Sequence, residues 1–381
     1  MTSKGPERSL TIHHVAPHFY PGIGGLEDSV RRFSAWLVER GHHVVVHTSA
    51  LTISGERLAP RDSIDGIEIR RYEPIARRGY YRTLFRPDLS AAQLIHLHGY
   101  AVRTNDRVVR EYRDRRLAFS LHHGVRMPAV DARTRVLRRG YDALVGLRTL
   151  RRVGRIVVPS VADRDWLAHH RVPADRVSIL PTPLPKEAFD AGNSSWASAQ
   201  TGGAPFVLYL GRLHQEKGVD DLLETVPHLP ASIRLMYAGP DGGRLDALRN
   251  RARELRVEDR VRFLGVVSEG QKRSLLATCS ALALPSLFEA QGLAVLEAWA
   301  LGRPVVATRV GALAETISDG ETGLLVPYHD VAALTQALIR VSTDRDLARK
   351  MGSLGRDAAE AFRLEKLGPQ LEAIYAELVG S

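Results

Sequence analysis

The sequence is poor in cysteine and lysine: it has one cysteine, Cys279, and six lysines among its 53 basic residues. A single cysteine excludes an internal disulfide and any multi-cysteine metal site, and it fits a reducing compartment. No run of about 18 apolar residues occurs, so no membrane-spanning helix is expected. The opening stretch "MTSKGPERSLTIHHVAP" lacks an apolar signal core and passes into a short strand, which gives a cytoplasmic protein as the expectation. The shortage of lysine against arginine points to genome composition and excludes no chemistry. What remains is ordinary: 44% apolar and 25% charged residues over 381 positions, enough for two domains with separate cores.

Charge is unevenly placed. Residues 1–180 hold 31 Lys/Arg against 18 Asp/Glu, whereas residues 181–381 hold 22 against 25. The two halves are therefore expected to meet different partners. Short branched apolar runs alternate with helical patterns in both. "HVVVHTS", "LIHLH", "LAFSLHH" and "RIVVPS" read as buried parallel strands in the first half. "FVLYLG", "IRLMYAG", "VRFLG", "ALALPS", "PVVATRV" and "GLLVP" do so in the second. This alternation predicts an α/β protein of two doubly wound, Rossmann-like domains. The expected boundaries are a first domain over 1–185, a linker over 186–204, a second domain over 205–362 and a closing helix over 363–381 that packs back on the first domain.

Two carboxylates stand out in "PSLFEAQGLAVLEAWALGRPVVAT", residues 285–308. Glu289 falls in a loop after a strand, where open α/β sheets bind ligands, and Glu297 falls within the following helix. The amides of Ala290, Gln291, Gly292 and Leu293 open that helix and form a candidate anion site. For an isolated pair of glutamates, a helix-start charge and a solvated helix residue would be the plainer reading. The pair has company, however. "YLGRLHQEKGVDDLLE" puts Arg212 just after a strand and Lys217 just before a helix, a pair of cations suited to a diphosphate. "YAGPDGGR" adds Gly239 at the end of the next strand.

These motifs resemble the retaining glycosyltransferases of family 4, from "PHFYPGIGGLEDSV" through "GRLHQEKG" and the two-glutamate stretch to "GALAETISDGETGLLV". The resemblance implies the GT-B fold, in which two Rossmann-like domains face each other across a cleft. It implies a transfer from a nucleotide diphosphate sugar to a hydroxyl of a small molecule or glycan. Glu289 would bind hydroxyls of the transferred sugar, and Glu297 those of the ribose. Arg212 and Lys217 would hold the diphosphate and stabilise charge on the leaving group, so no metal or other cofactor is expected. Gly24 and Gly25 match the family's first glycine loop on the donor side. His122 matches a histidine that contacts the donor sugar, and His98 a residue of the acceptor pocket. For His96 and His123, capping of strand ends is the preferred reading. The chain departs from the family before the linker, where "PTPLPKEAF" replaces Asn-Gly-hydrophobic-Asp.

Two rival functions bear on the same residues. A dinucleotide-dependent oxidoreductase is disfavoured because "HVVVHTS" ends in Thr48-Ser49 and lacks the acidic residue that would hold a ribose. A nucleotide-sugar epimerase or a non-catalytic binder is the alternative on the same fold. No nucleic-acid partner is expected. The segment 133–155, with eight arginines and one aspartate, has two readings. In one, Leu144, Leu147 and Leu150 pack on the sheet and the arginines form a solvated face. In the other, the segment meets an anionic membrane surface or a negatively charged acceptor.

Overall fold

The computed structural model describes residues 9–22, 24–52, 55–78, 82–112, 116–122 and 132–380, so His123 lies outside the described residues. The chain forms two compact units, Met1–Pro183 with Leu364–Ser381, and Leu184–Arg363.

In chain order the first unit contains β1 (Thr11–Val15), β2 (His43–Ser49), β3 (Arg61–Ile64), β4 (Ile67–Tyr72), β5 (Ala76–Arg78), β6 (Arg82–Leu84), β7 (Leu94–His98), β8 (Leu117–Ser120), β9 (Arg155–Val158) and β10 (Val177–Ile179). Eight of these make one sheet in the order β10-β9-β8-β7-β1-β2-β4-β3, while β5 and β6 pair separately. Within the large sheet every neighbour is parallel except β3 and β4. Parallel strands covered on both faces need continuous apolar runs, which is why β2 and β7 are legible in the sequence.

Helix Gly25–Glu39 covers one face with Leu26, Val30, Phe33 and Leu37, a stripe at helical spacing. The closing helix Leu364–Gly380 joins the same core through Leu367, Leu371, Ile374, Tyr375 and Leu378. Gly368 is what allows the two helices to approach, since a Cβ there would come within 2.4 Å of the Trp36 ring.

The second unit contains β11 (Phe206–Leu210), β12 (Arg234–Ala238), β13 (Val261–Gly265), β14 (Ala281–Leu284), β15 (Val305–Thr308) and β16 (Leu324–Val326). They form one parallel sheet in the order β13-β12-β11-β14-β15-β16. Connections run outward to one side from β11 and to the other from β14. The strand order therefore reverses between these two, and that crevice is where doubly wound sheets take ligands.

Three expectations need correction, and one hairpin lies outside them. The stretch 186–204 is not a linker, for it belongs to the second unit and buries Phe189 and Ala197 in that unit's core. Its Gly and Ser content reads as open chain, but helix Ser195–Thr201 packs there. The run "LAFSLHH" is strand only over Leu117–Ser120. The hairpin β3–β4 escapes a search for apolar runs because it lies at the sheet edge, although its Asp65-Gly66 turn, with φ of 51° and 74°, is the usual hairpin signal. Finally, Leu144 does not pack: it is 63% exposed, whereas Leu150 is buried. A π-helical turn over Asp142–Gly146 breaks the 3.6-residue phase on which the expected apolar stripe rests.

Candidate active site

In the second unit, the loops after β11 and β14 converge. Lys217 follows β11 at the end of a short 3₁₀ turn, and Glu289 follows β14. Lys217 Nζ donates to Glu289 Oε1 at 2.6 Å, and Ser286 Oγ donates to the same oxygen at 2.8 Å. The backbone around this pair is tightly determined. Leu287 N donates to Glu216 O at 2.8 Å, which ties the second loop to the first. Gly218, in the left-handed region at φ +66°, lies where a Cβ would be 2.0 Å from Pro285 O. Glu289 O accepts from Ala312 N at 2.9 Å. Both strand ends are thereby clamped, and the cation and carboxylate are held at the reversal point of the sheet.

Gly292, also left-handed at φ +76°, starts helix Leu293–Ala300. The first internal bond of that helix is Val295 N to Gly292 O, so the amides of Leu293 and Ala294 lie ahead of its ladder. Ala290, Gln291 and Leu293 are half-buried and Gly292 is buried. At the end of β12, a Cβ on Gly239 would come within 2.0 Å of Gly211 O, so glycine is required for β11 and β12 to end side by side. Arg212 is exposed and, among the described residues, pairs with no carboxylate. Its carbonyl is fixed by Tyr209 Oη at 2.8 Å.

Glu297 is not a solvated helix residue: it is 6% exposed. Lys272 Nζ, on helix Glu269–Thr278, donates to its Oε1 at 2.9 Å and also lies 3.0 Å from Glu269 Oε2. Sequence reasoning missed Lys272. A lone lysine on an amphipathic helix carries no local sign that its partner lies 25 residues away.

The first unit assembles histidines. His98 Nδ1 lies 2.7 Å from His122 Nε2, and His98 Nε2 lies 2.7 Å from His14 Nδ1. His14 on β1 and His98 on β7 straddle the reversal point of this sheet. His96 sits between Tyr375 Oη at 2.6 Å and Ser120 Oγ at 2.7 Å, so it is a bonded core residue and not a strand-end cap. A pocket is lined by His96, Ser120, His122, Ser29, Phe33 and Thr182. Burial, followed by the neighbouring His13, lowers the His14 pKa to about 3. Burial also holds His96 and His98 well below the usual imidazole range, with other histidines adding to the effect. Gly24 precedes helix Gly25–Glu39, and a Cβ on it would come 2.5 Å from Glu27 Oε2, while Gly25 is open. The start of this helix thus already has a carboxylate of its own nearby.

His14, His96 and His98 offer nitrogens within 4.8 Å of one another, a spacing compatible with a metal. Those nitrogens are committed to the bonds just described, apart from His14 Nε2, so a metal would have to displace several of them. The Asp-x-Asp triplets at 163–165 and 344–346 are helix starts. Asp163 accepts from Ser160 Oγ at 2.7 Å, and Asp344 caps its helix by accepting from Leu347 N at 2.9 Å.

The model of the family described as glycosyl transferases group 1 matches residues 191–358, and that of glycosyltransferase family 4 matches residues 23–187. The chain belongs to the group 1 glycosyltransferases. This glycosyltransferase is 31% identical over 232 residues to a D-inositol 3-phosphate glycosyltransferase of Corynebacterium glutamicum, covering 57% of the chain and 56% of that relative. It thus spans about half the length of the first such relatives it matches. A protein of the same name from Xylanimonas cellulosilytica aligns over 98% of the chain and 97% of its own length at 24% identity. Among solved structures, the sucrose-phosphate synthase of Thermosynechococcus elongatus superposes with a TM-score of 0.81 at 24% identity, covering 98% of this chain and 100% of that one. HepE of Anabaena, solved with UDP-glucose, gives 0.74 at 16% identity over 97% and 100%. At these identities the structural likeness establishes the fold, GT-B, and the chemistry must be argued from residues.

Proposed function

We propose that this group 1 glycosyltransferase moves a sugar from a nucleotide diphosphate donor to an acceptor hydroxyl, with retention at the anomeric carbon and without a metal. The observation that carries the proposal is the Lys217–Glu289 pair at the strand-order reversal of the second unit. The relatives named as sugar transferases and the neighbour solved with UDP-glucose support the substrate class.

In this reading the bond between the anomeric carbon and the diphosphate oxygen breaks, and the acceptor oxygen bonds to that carbon on the same face. The acceptor's proton passes to the departing phosphate. Negative charge grows on the diphosphate as the bond breaks, so cations placed beforehand favour the transition state over the ground state. Lys217 supplies one, and the exposed Arg212 guanidinium a second. Glu289, fixed by Ser286 and Lys217, takes hydroxyls of the transferred sugar. Glu297 takes those of the ribose, with Lys272 balancing its charge. In the first unit, His122 is held by His98, and the family resemblance assigns this pair to substrate.

The test is turnover of UDP-, GDP-, ADP- and dTDP-sugars by EDTA-treated protein, with the anomeric proton coupling of the product read by NMR. A retained product is expected. An inverted product, or a strict need for Mg²⁺ or Mn²⁺, would overturn the mechanism. Donor turnover without acceptor, giving an epimeric nucleotide sugar, would select the epimerase alternative.

A further inference from the structure

Large apolar side chains scattered singly over a surface need no explanation, but a cluster does. Nine are exposed among the described residues, and four of these, Val136, Leu137, Leu144 and Val145, fall within ten consecutive positions. Their exposures are 68%, 53%, 63% and 38%. They sit on helix Ala132–Tyr141 and the π-helical turn Asp142–Gly146, within the segment 133–155 that carries eight arginines.

The segment is not simply loose. Tyr141 Oη donates to Asp106 at 2.9 Å, Tyr100 Oη donates to Asp142 at 2.7 Å, and Thr149 Oγ1 donates to Asp106 at 3.1 Å. Leu150 and Val153 are buried beneath it. One side is therefore docked on the first unit while these four apolar groups face water.

Seven of the eight arginines divide in two. Arg151 donates to His170 O, and Arg155 is bonded to Asp175 O and Glu377. These two serve the fold. Arg133, Arg135, Arg139, Arg148 and Arg152 are exposed and, among the described residues, have no carboxylate partner. A nucleic acid would use the arginines but leave the aliphatic groups without a role. A second copy of the chain would bring like charges together. A layer of phosphates above hydrocarbon matches both features: arginines at headgroup level, with Leu and Val entering the acyl boundary.

We infer that the surface formed by Ala132–Arg152 docks this protein on an anionic phospholipid bilayer. The docking does not depend on the transfer reaction and is read without it. Co-sedimentation of the full chain is measured with vesicles of phosphatidylcholine alone, and of phosphatidylcholine with phosphatidylglycerol at about 3:1. Pelleting is expected with the anionic vesicles only, and the bound fraction should fall about tenfold or more between roughly 0.05 and 0.5 M salt as charges are screened. Arg133/Arg135/Arg139/Arg152→Gln should abolish it, the matching Arg→Lys variant should keep it, and Leu137/Leu144→Ser should weaken it. Unchanged circular dichroism and melting temperature would show that each variant is folded. No pelleting at low salt, equal pelleting with both vesicles, or full binding by the folded Gln variant would overturn the inference. Retention of oligonucleotide but not vesicles would assign the charge to nucleic acid instead.

Discussion

Lys217 Nζ and Glu289 Oε1 lie 2.6 Å apart although 72 residues separate them in sequence. The contact exists because β11 and β14 are neighbours in the sheet and because Gly218 lets the first loop press on Pro285 of the second. In the proposed mechanism this cation and carboxylate, which neutralise each other in the free protein, exchange partners when a diphosphate sugar arrives, with phosphate taking the lysine and sugar hydroxyls the glutamate.

Turnover should depend on these charges more than binding does. Arg212→Ala and Lys217→Ala are each expected to lower kcat by about 10²-fold or more, because their partner gains charge in the transition state. Steady-state kinetics with the best donor provide the check. A rise in KM with kcat unchanged would mean that they bind the ground state and transition state equally.

The Lys272–Glu297 pair should behave as a buried ion pair. Glu297 is 8% and Lys272 12% exposed in their side chains. Lys272→Met leaves a buried carboxylate short of its cation and is expected to cost about 3 kcal/mol, with Glu297→Gln in the same chain recovering much of that loss. Urea unfolding of the two single variants and the double variant measures it. Additive losses would show that the two side chains are not coupled.

Acid should weaken the first unit. Burial lowers His14 and His47 to about 3 and His13 to about 4, all below the unfolded value near 6.5. For a lowered pKa, the unfolded chain binds more protons between the two values. The histidines' contribution is therefore complete above about pH 6.5 and is lost as pH falls toward 4 and then 3. At pH 5, His14 and His47 alone account for a loss of about 2 kcal/mol each. The check is the unfolding midpoint at pH 7.5 and 5.0. A midpoint flat across this range would mean that the histidines take up protons without opening the fold.

Much of this architecture is legible in sequence because parallel strands covered on both faces must be apolar throughout. "LIHLH" and "ALALPS" declare themselves for that reason, as do Arg212, Lys217 and Glu289 by standing just beyond such runs. The parts that are not legible depend on tertiary partners. Nothing in the stretch around Glu297 shows that Lys272 is held against it. His14 reads as a strand residue until β7 places His98 at 2.7 Å. Leu144 reads as core because the π-helical turn after Tyr141 leaves no signature in composition. The stretch 186–204 reads as linker because its Gly and Ser content outweighs the few residues, Phe189 and Ala197 among them, that bury it.

The central claim is that Lys217 serves the diphosphate and Glu289 the sugar, and calorimetric titration with a bare nucleoside diphosphate tests it most directly. The ligand is whichever of UDP, GDP, ADP and dTDP stabilises the protein most; saturation at about 100 times Kd should raise stability by about 2.7 kcal/mol. Lys217→Ala should weaken this binding about tenfold or more, as expected when a charge-assisted phosphate contact is lost. Glu289→Ala should leave it within about twofold or tighten it, since no sugar is present and the lysine is released from its carboxylate. Equal losses in the two variants, or none in Lys217→Ala, would contradict the account.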